Sequence, residues 1–313
     1  EIHERLVGSE MCIRDREQAS NLVGIQGEAQ SAYITLDVVE ALKARVYLEM
    51  EDYQNAAAAA QGLINSKRYT LISDGDAYKK MWLNDVGTEA IWQFAMSKTE
   101  TGSNALGSSF MGIVDKLPRP SYLPVKSVLN LYDKENDIRY DAYFTTGLID
   151  RQVGDDIEVT YCSKWPGNPE LYEGKSNNVN KLKAFRISEM YLIAAEAYAM
   201  LNQEDKASEM LNELKKIRIK GWAETVYNGA ALMQEIQDER VRELFAEGNR
   251  LFDMKRWKIG MKRSSSDAQR DDYLPALGTD IEKEATDNRW VWPIPKDEMD
   301  SNPQLKGQQN PGY

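Results

Sequence analysis

The chain has 313 residues, 42% of them hydrophobic, enough to bury a sizeable core over about two domain-lengths. Fifty Asp and Glu against 39 Lys and Arg give a net charge of -11, which leaves no overall basic surface for a phosphate backbone and argues against nucleic acid as a partner. The one histidine, His3, and one of the two cysteines, Cys12, fall in the first sixteen residues, so the rest of the chain has no histidine and a single cysteine, Cys162. A Ser-His-Asp triad, a Cys-His pair and His-ligated zinc are thereby excluded.

Residues 1-16, EIHERLVGSEMCIRDR, have no initiator Met and no apolar h-region, and they resemble a translated sequencing-library adapter rather than a signal peptide. Setting them aside removes four acids and three bases and leaves a net charge of -10. Cys162 alone cannot close an internal disulfide, and no run of 18 apolar residues offers a membrane-spanning helix.

In chain order, Val39, Leu42, Val46, Tyr47 and Met50 recur at helical spacing, Glu51-Asp52 interrupts, and an Ala-rich stretch from Tyr53 to Ile64 predicts a second helix. Residues 81-96 hold an apolar run, Ala90 to Met96, of strand length. Residues 97-125 and 145-180 are rich in Ser, Thr, Gly, Asn and Pro and read as long loops, which in a compact protein commonly carry function. Ile187, Met190, Tyr191, Ala194, Tyr198 and Leu201 then mark a helix, and Ala207, Met210, Leu211, Leu214 and Ile217 mark its partner. The two hairpins superpose at an offset of 151, Tyr47 on Tyr198, Ala56 on Ala207 and Leu63 on Leu214, an internal repeat of tetratricopeptide type. Leu232 to Phe245 forms a last long helical run, followed by a short helix through Trp257, a polar loop, and a Pro-rich aromatic tail laid over the surface. Within that run Glu239, Glu243 and Glu247 share one helix face, with Arg240 and Arg250 close enough to pair. Interleaved arginines favour a structural ion-pair network over a metal or acid-base site.

These features resemble the SusD/RagB family of outer-membrane nutrient-binding lipoproteins. The resemblance is carried by Arg186-Ile-Ser-Glu-Met-Tyr-Leu-Ile-Ala-Ala-Glu-Ala-Tyr, by the Glu239-Arg240, Glu243-Leu244, Glu247-Gly248, Arg250, Asp253 and Arg256-Trp257 series, by Pro293-Ile294-Pro295, and by Asn310-Pro311-Gly312-Tyr313. It is specific over residues 182-313 and extends to about residue 31 through Glu89-Ala-Ile-Trp and the Tyr132-Asp133, Asp137 and Arg139 positions. It implies a mainly α fold of tetratricopeptide-like hairpins with a long loop-rich insertion and minor β. The expected organisation is an adapter-derived leader at 1-16, a hairpin and strand region at 17-96, a ligand-binding insertion at 97-181 and a family-like C-terminal region at 182-313. It also implies a non-enzymatic, cofactor-free protein on the cell surface that captures oligosaccharide and lids a SusC-like TonB-dependent outer-membrane transporter. The family's signal peptide, lipid-anchor cysteine and early repeats would lie upstream of this chain.

A sugar site calls for exposed aromatic platforms flanked by polar side chains. Phe110, Tyr122, Tyr143, Trp165 and Tyr172, with Asn168 beside Pro166-Gly167, lie in the insertion and form the expected ligand set, with Trp165 first among them on a solvent-facing loop. The structural alternative is that Lys164-Trp165 resembles a Lys-aromatic pair that family members use ahead of the last repeat. Trp82, Trp92, Tyr47, Tyr191, Tyr198, Trp257, Trp290 and Trp292 are read as packing residues. The competing function is a tetratricopeptide scaffold whose concave face binds a peptide. A glycan-active enzyme would have to use Asp155, Asp156, Glu170 or Glu173, the loop acids near aromatics.

Overall fold

The computed structural model describes residues 23-99, 105-114, 117-151, 154-176, 178-270 and 281-313, with Asp15, Gln18, Ala19 and Asn21. His3 and Cys12 of the adapter-like leader lie outside the described residues. The chain divides into two compact units, Glu1-Phe245 and Ala246-Tyr313. The hairpin region, the insertion and the helical repeat at 187-218 therefore share the first unit.

That unit is built on two helical hairpins. Helix α1 (Leu36-Glu49) is capped by Thr35, whose hydroxyl accepts from the Val38 N-H at 3.4 Å, and α2 (Tyr53-Ser66) is capped by Asp52. After α3 (Gly75-Leu83), strand β1 (Ala90-Gln93) leads into the insertion. The insertion contains α4 (Leu106-Met111), a two-residue ladder of β2 (Ile113-Val114) with β3 (Leu117-Pro118), α5 (Lys126-Leu129), α6 (Ile138-Tyr143), β4 (Phe144-Ile149) and β5 (Ile157-Cys162). Strand β6 (Lys183-Arg186) opens the second hairpin, α7 (Ile187-Met200) and α8 (Glu204-Arg218), and α9 (Gly229-Glu243) packs against both of its helices.

The repeat is realised to the residue. Each helix of the second hairpin starts 151 residues after its counterpart, Ile187 for Leu36 and Glu204 for Tyr53, and the left-handed turn residue repeats as well, Glu51 at φ 61° and Asn202 at φ 58°. Helix α2 lies on α7, and Ala41, Ala44, Ala56, Ala60, Ala194, Ala195, Ala207, Leu211 and Leu214 are all buried in one cluster. Alanine at such crossings lets helix axes approach closely, so a larger side chain has no room to occupy. Ala207→Leu is expected to overpack the crossing and cost about 1 to 3 kcal/mol, read as a lowered thermal midpoint; equal midpoints would mean the crossing is loose.

β1 joins the two halves. One edge pairs antiparallel with β6, and the other bonds to the segment before α1 through Gln30 N-H to Ala90 O at 2.8 Å and Gln93 N-H to Ser31 O at 3.0 Å. The strand ends at Gln93, earlier than the apolar run to Met96 suggests, although Phe94 N-H still reaches Leu182 O at 2.9 Å. The insertion is also more ordered than its composition predicts. Residues 145-162, expected as loop, belong to the β4-β5 hairpin, one face of which buries Ile149, Ile157, Val159 and Tyr161, while Phe144 and Cys162 are buried on the other. Alternation in Ile157-Glu-Val-Thr-Tyr is the strand signal that the neighbouring Gly147 and Gly154 obscured.

The second unit carries α10 (Arg250-Trp257), the antiparallel pair β7 (Met261-Arg263) and β8 (Ile281-Lys283), and α11 (Lys296-Ser301). Its tail folds back on itself: the Gln309 amide bonds both the N-H and the carbonyl of Ile294, at 2.9 and 3.1 Å. Trp290 is tied to Glu284 O at 2.7 Å, while Trp292, read as a packing residue, stands exposed.

Candidate functional site

The framework under the insertion is a buried ion-pair network. Glu243 on α9 accepts from Arg186 (2.8 Å), from Arg139 (3.1 Å) and twice from Arg218 (2.9 Å). Glu89, ahead of β1, accepts from Arg218 at 2.8 Å and Arg186 at 3.1 Å. Glu239 accepts from Arg139 at 2.5 Å and Arg242 at 2.6 Å, and Arg139 also forks onto Asp137. Glu235 extends the set to Lys215 and Arg242. Among the described residues five carboxylates, Glu89, Asp137, Glu235, Glu239 and Glu243, alternate here with five cations, Arg139, Arg186, Lys215, Arg218 and Arg242, so each charge has an opposite one beside it.

Burial alone would raise the Glu239 carboxyl, but the Arg139 and Arg242 guanidiniums outweigh it and bring it to about 2. Glu243 is held well below the ordinary carboxylate range in the same way: burial opposes ionisation, and Arg218 and Arg186 prevail. The structural role expected of Glu239 and Glu243 is present, with different partners. Their arginines come from α6, the end of β6, the end of α8 and, for Glu239, from Arg242 on α9 itself, while the interleaved Arg240 lies 3.8 Å from Glu196.

Beside this network sits an aromatic cluster of Tyr78, Trp82, Tyr132, Tyr143, Phe144 and Trp165, all buried. Two members of the expected ligand set, Tyr143 and Trp165, belong to it, which corrects the expectation that they present exposed ring faces. Tyr143 donates to the Glu243 carbonyl at 3.1 Å and meets Tyr78 hydroxyl to hydroxyl at 2.5 Å. Trp165 is 2% exposed and edge-on to Trp82, with ring centroids 5.0 Å apart. Lys164 stands between Tyr143 and Trp82, 3.9 and 4.1 Å above their rings, and donates to Phe245 O at 2.7 Å. The structural alternative for Lys164-Trp165 is therefore the arrangement found.

Cys162, at the end of β5, is buried too, and desolvation pushes its thiol up to about 11. In a Cys12→Ser variant, Cys162 is expected to resist a thiol reagent at pH 8 in the native state and react fully in denaturant, because thiolate is the nucleophile. Fast labelling of the native protein would show the site to be open.

The chain after Trp165 is anchored as firmly. Gly167 has φ +90°, and a Cβ there would stand 2.4 Å from Ser176 Oγ, so both backbone and space demand glycine. Asn168, also in the expected ligand set, is buried: its amide donates to Asp85 at 2.8 Å and its carbonyl oxygen accepts from Glu170 N-H at 3.0 Å, capping the 3-10 turn Pro169-Leu171. Asp85 further accepts from Lys183 at 2.9 Å and Lys181 N-H at 3.0 Å. This buried carboxylate fastens the loop to the turn after α3, and the second amide hydrogen of Asn168 goes to Asn84 O at 3.1 Å, so both its donors are engaged within the fold.

Three of the expected residues reach the surface. Tyr122 is 63% exposed and lies against half-buried Phe110, with ring centroids 6.3 Å apart; Ser121 N-H to Ser109 O at 2.9 Å ties the two segments together. Tyr172 is half-buried after the 3-10 turn. Phe94, which composition placed in the strand, is exposed and packs on Trp92 at 4.7 Å, a second aromatic pair. Its alternation outward from buried Gln93 is the signal that could have found it.

The profile of the SusD family matches residues 148-313, just over half of the chain. The chain belongs to the SusD family. A SusD-like protein of Formosa agariphila is 24% identical over 343 residues, covering 95% of this chain and 63% of its own length. A crystal structure of a SusD superfamily protein from Bacteroides thetaiotaomicron is 28% identical, with a TM-score of 0.78, over 97% of this chain and 66% of that one. A structure from Bacteroides vulgatus, described as a SusD-like carbohydrate binding protein, is 20% identical with a TM-score of 0.70, over 96% of this chain and 65% of that one. The SusD-family chain thus spans just under two thirds of these relatives. Its mainly α, tetratricopeptide-like architecture is the SusD fold. Among the described residues no helix is long and apolar enough to cross a membrane, and no group of three or more His, Cys, Asp or Glu is placed to hold a metal.

Proposed function

We propose that this SusD-family chain captures oligosaccharides at the cell surface without cleaving them and passes them to a SusC-like TonB-dependent outer-membrane transporter, held to the membrane by a lipid anchor. The observation that carries the reading is the Phe110-Tyr122 pair, an exposed aromatic platform on an insertion whose base is locked by buried charge. Sugar C-H faces stack on such rings, and a rigid base spares ordering entropy on binding. The description of the Bacteroides vulgatus relative as carbohydrate binding points the same way. Tyr172 is the third surface candidate. The test is a glycan-array screen followed by calorimetry on the best sugar. Tyr122→Ala is expected to weaken binding by about 1 kcal/mol or more, the sugar is expected to be recovered intact, and an unchanged affinity would move the platform elsewhere.

One observation favours a peptide-binding scaffold as a second reading. A groove of about 580 Å³ runs between the two hairpins, its charged lining made of Glu209 and Glu213 with Lys67 and Lys216. Burial and the neighbouring Glu209 raise the Glu213 carboxyl against the opposing pull of Lys216, so a peptide cation placed beside Glu213 would add to what Lys216 supplies. Binding of a Lys-rich peptide that weakens in Glu213→Gln would support this reading over the first.

A further inference from the structure

At the start of α4 the insertion encloses a small cavity of about 90 Å³. Its described walls are aliphatic, from Met96, Leu106, Val179 and Leu182, and among the described residues no charged side chain lines it. Leu106 and Leu182 are each more than a third exposed, which opens the cavity to solvent at its rim. Trp165 and Asn178 complete the lining, and each brings a buried N-H group without a hydrogen-bond partner, the indole Nε1 and the amide Nδ2. The remaining polar side chain, Asn180, is already engaged: its amide donates to Trp82 O at 2.7 Å and its oxygen accepts from Gly167 N-H at 2.8 Å. Buried donors without partners are rare, and each costs free energy unless something fills the site. Both orphans here are donors, so an occupant that reaches them must offer acceptor oxygen; the uncharged side chains of the described walls select a neutral group, and the aliphatic lining suits a methyl.

We propose that this cavity is a specificity pocket for the acetyl group of an acetylated sugar, whose carbonyl oxygen accepts from Trp165 Nε1-H and the Asn178 amide while its methyl packs on the aliphatic wall. The inference rests on the sugar-binding reading and narrows it. The placement agrees with the platform, since Leu106 and Gly107 at one end of α4 line the cavity and Phe110 sits on the same short helix. Gly107 is fitted to the pocket: a Cβ there would come within 2.2 Å of Trp165 O and 2.7 Å of Asn178 O. Trp165 thus returns to the ligand through its buried edge instead of its face.

The experiment uses the whole chain with 15N-labelled tryptophan. Triacetylchitotriose, an O-acetylated xylotriose and unacetylated xylotriose are titrated in turn, and the Trp165 indole N-H is assigned by its loss in Trp165→Phe. One or both acetylated probes are expected to move that resonance, and the unacetylated one is not; which one moves it tells N-acetyl from O-acetyl. The preferred acetylated probe is expected to bind about tenfold more tightly than xylotriose. That preference should shrink to about twofold in Trp165→Phe and in Asn178→Asp, where a carboxylate replaces the donor and a left-handed backbone is still tolerated. If a probe binds by calorimetry while the Trp165 resonance stays still, the cavity holds water only and the inference falls, with sugar capture intact. If no glycan of the array or the titration binds, the sugar-binding reading itself fails and takes the inference with it.

Discussion

Glu243→Ala is expected to lower stability by about 3 to 5 kcal/mol, because it leaves Arg139, Arg186 and Arg218 buried around an absent charge. In a chain of this size that is a fall in the thermal midpoint on the order of 10 °C. Glu243→Gln keeps shape and some acceptor capacity and should lose less. A midpoint within about 2 °C of the parent for Glu243→Ala would show that water reaches the arginines and the network is not closed. The same network sets the acid limit. Glu243 and Glu239 titrate lower in the folded state than the ordinary value near 4.3 of an unfolded glutamate. Their contribution is therefore complete above that value and is lost as pH falls from about 4.5 toward 2, where Glu239 itself protonates. Urea midpoints at pH 7, 4 and 2.5 should fall steeply across the last interval; a flat profile there would remove these carboxylates from the account.

Trp165→Ala is expected to cost about 3 to 5 kcal/mol, the range for emptying a buried indole site. The ring fills the space between Trp82 and the Asp85-anchored loop, and its removal leaves Lys164 and Lys183 with less aromatic surface around their ammonium groups. Trp165→Phe, which keeps a ring, should cost much less. Near-parental melting of Trp165→Ala, with sugar affinity reduced, is the outcome that would restore the solvent-facing loop read from composition. Loss of binding in Trp165→Ala therefore cannot be taken as loss of stacking unless the fold is measured alongside it.

The repeat was legible because it is local and periodic: helix starts, the turn residue and two buried alanines, Ala44 with Ala195 and Ala56 with Ala207, recur at one offset. The site residues were harder for a physical reason. Whether a tryptophan in a polar loop is exposed depends on what meets it from elsewhere in the chain. Trp165 is buried by Trp82, by Lys164 and by a loop pinned to Asp85, partners with no periodicity to reveal them. Glu239 and Glu243 show the same limit. Their helical face was visible, yet the nearby Arg240 was a poor guide, since the pairing arginines lie at 139, 186, 218 and 242. Tyr122 and Phe110 stayed at the surface because the short α4 and its neighbouring segment bury one side only.

The last rung beside β1, Phe94 N-H to Leu182 O, places the two ends of the insertion side by side on a strand already held from both flanks. A segment whose entry and exit are neighbours can be lengthened, shortened or exchanged at little cost in chain entropy, since the doorway is the same whatever passes through it. What a replacement must carry is a fastening: Asp137-x-Arg139 to reach the carboxylates of α9, and Asn168 to reach Asp85. The repeat stack then acts as a socket, and a library of insertions between residues 94 and 182 that keeps those three side chains is a route to new ligand surfaces on an unchanged body.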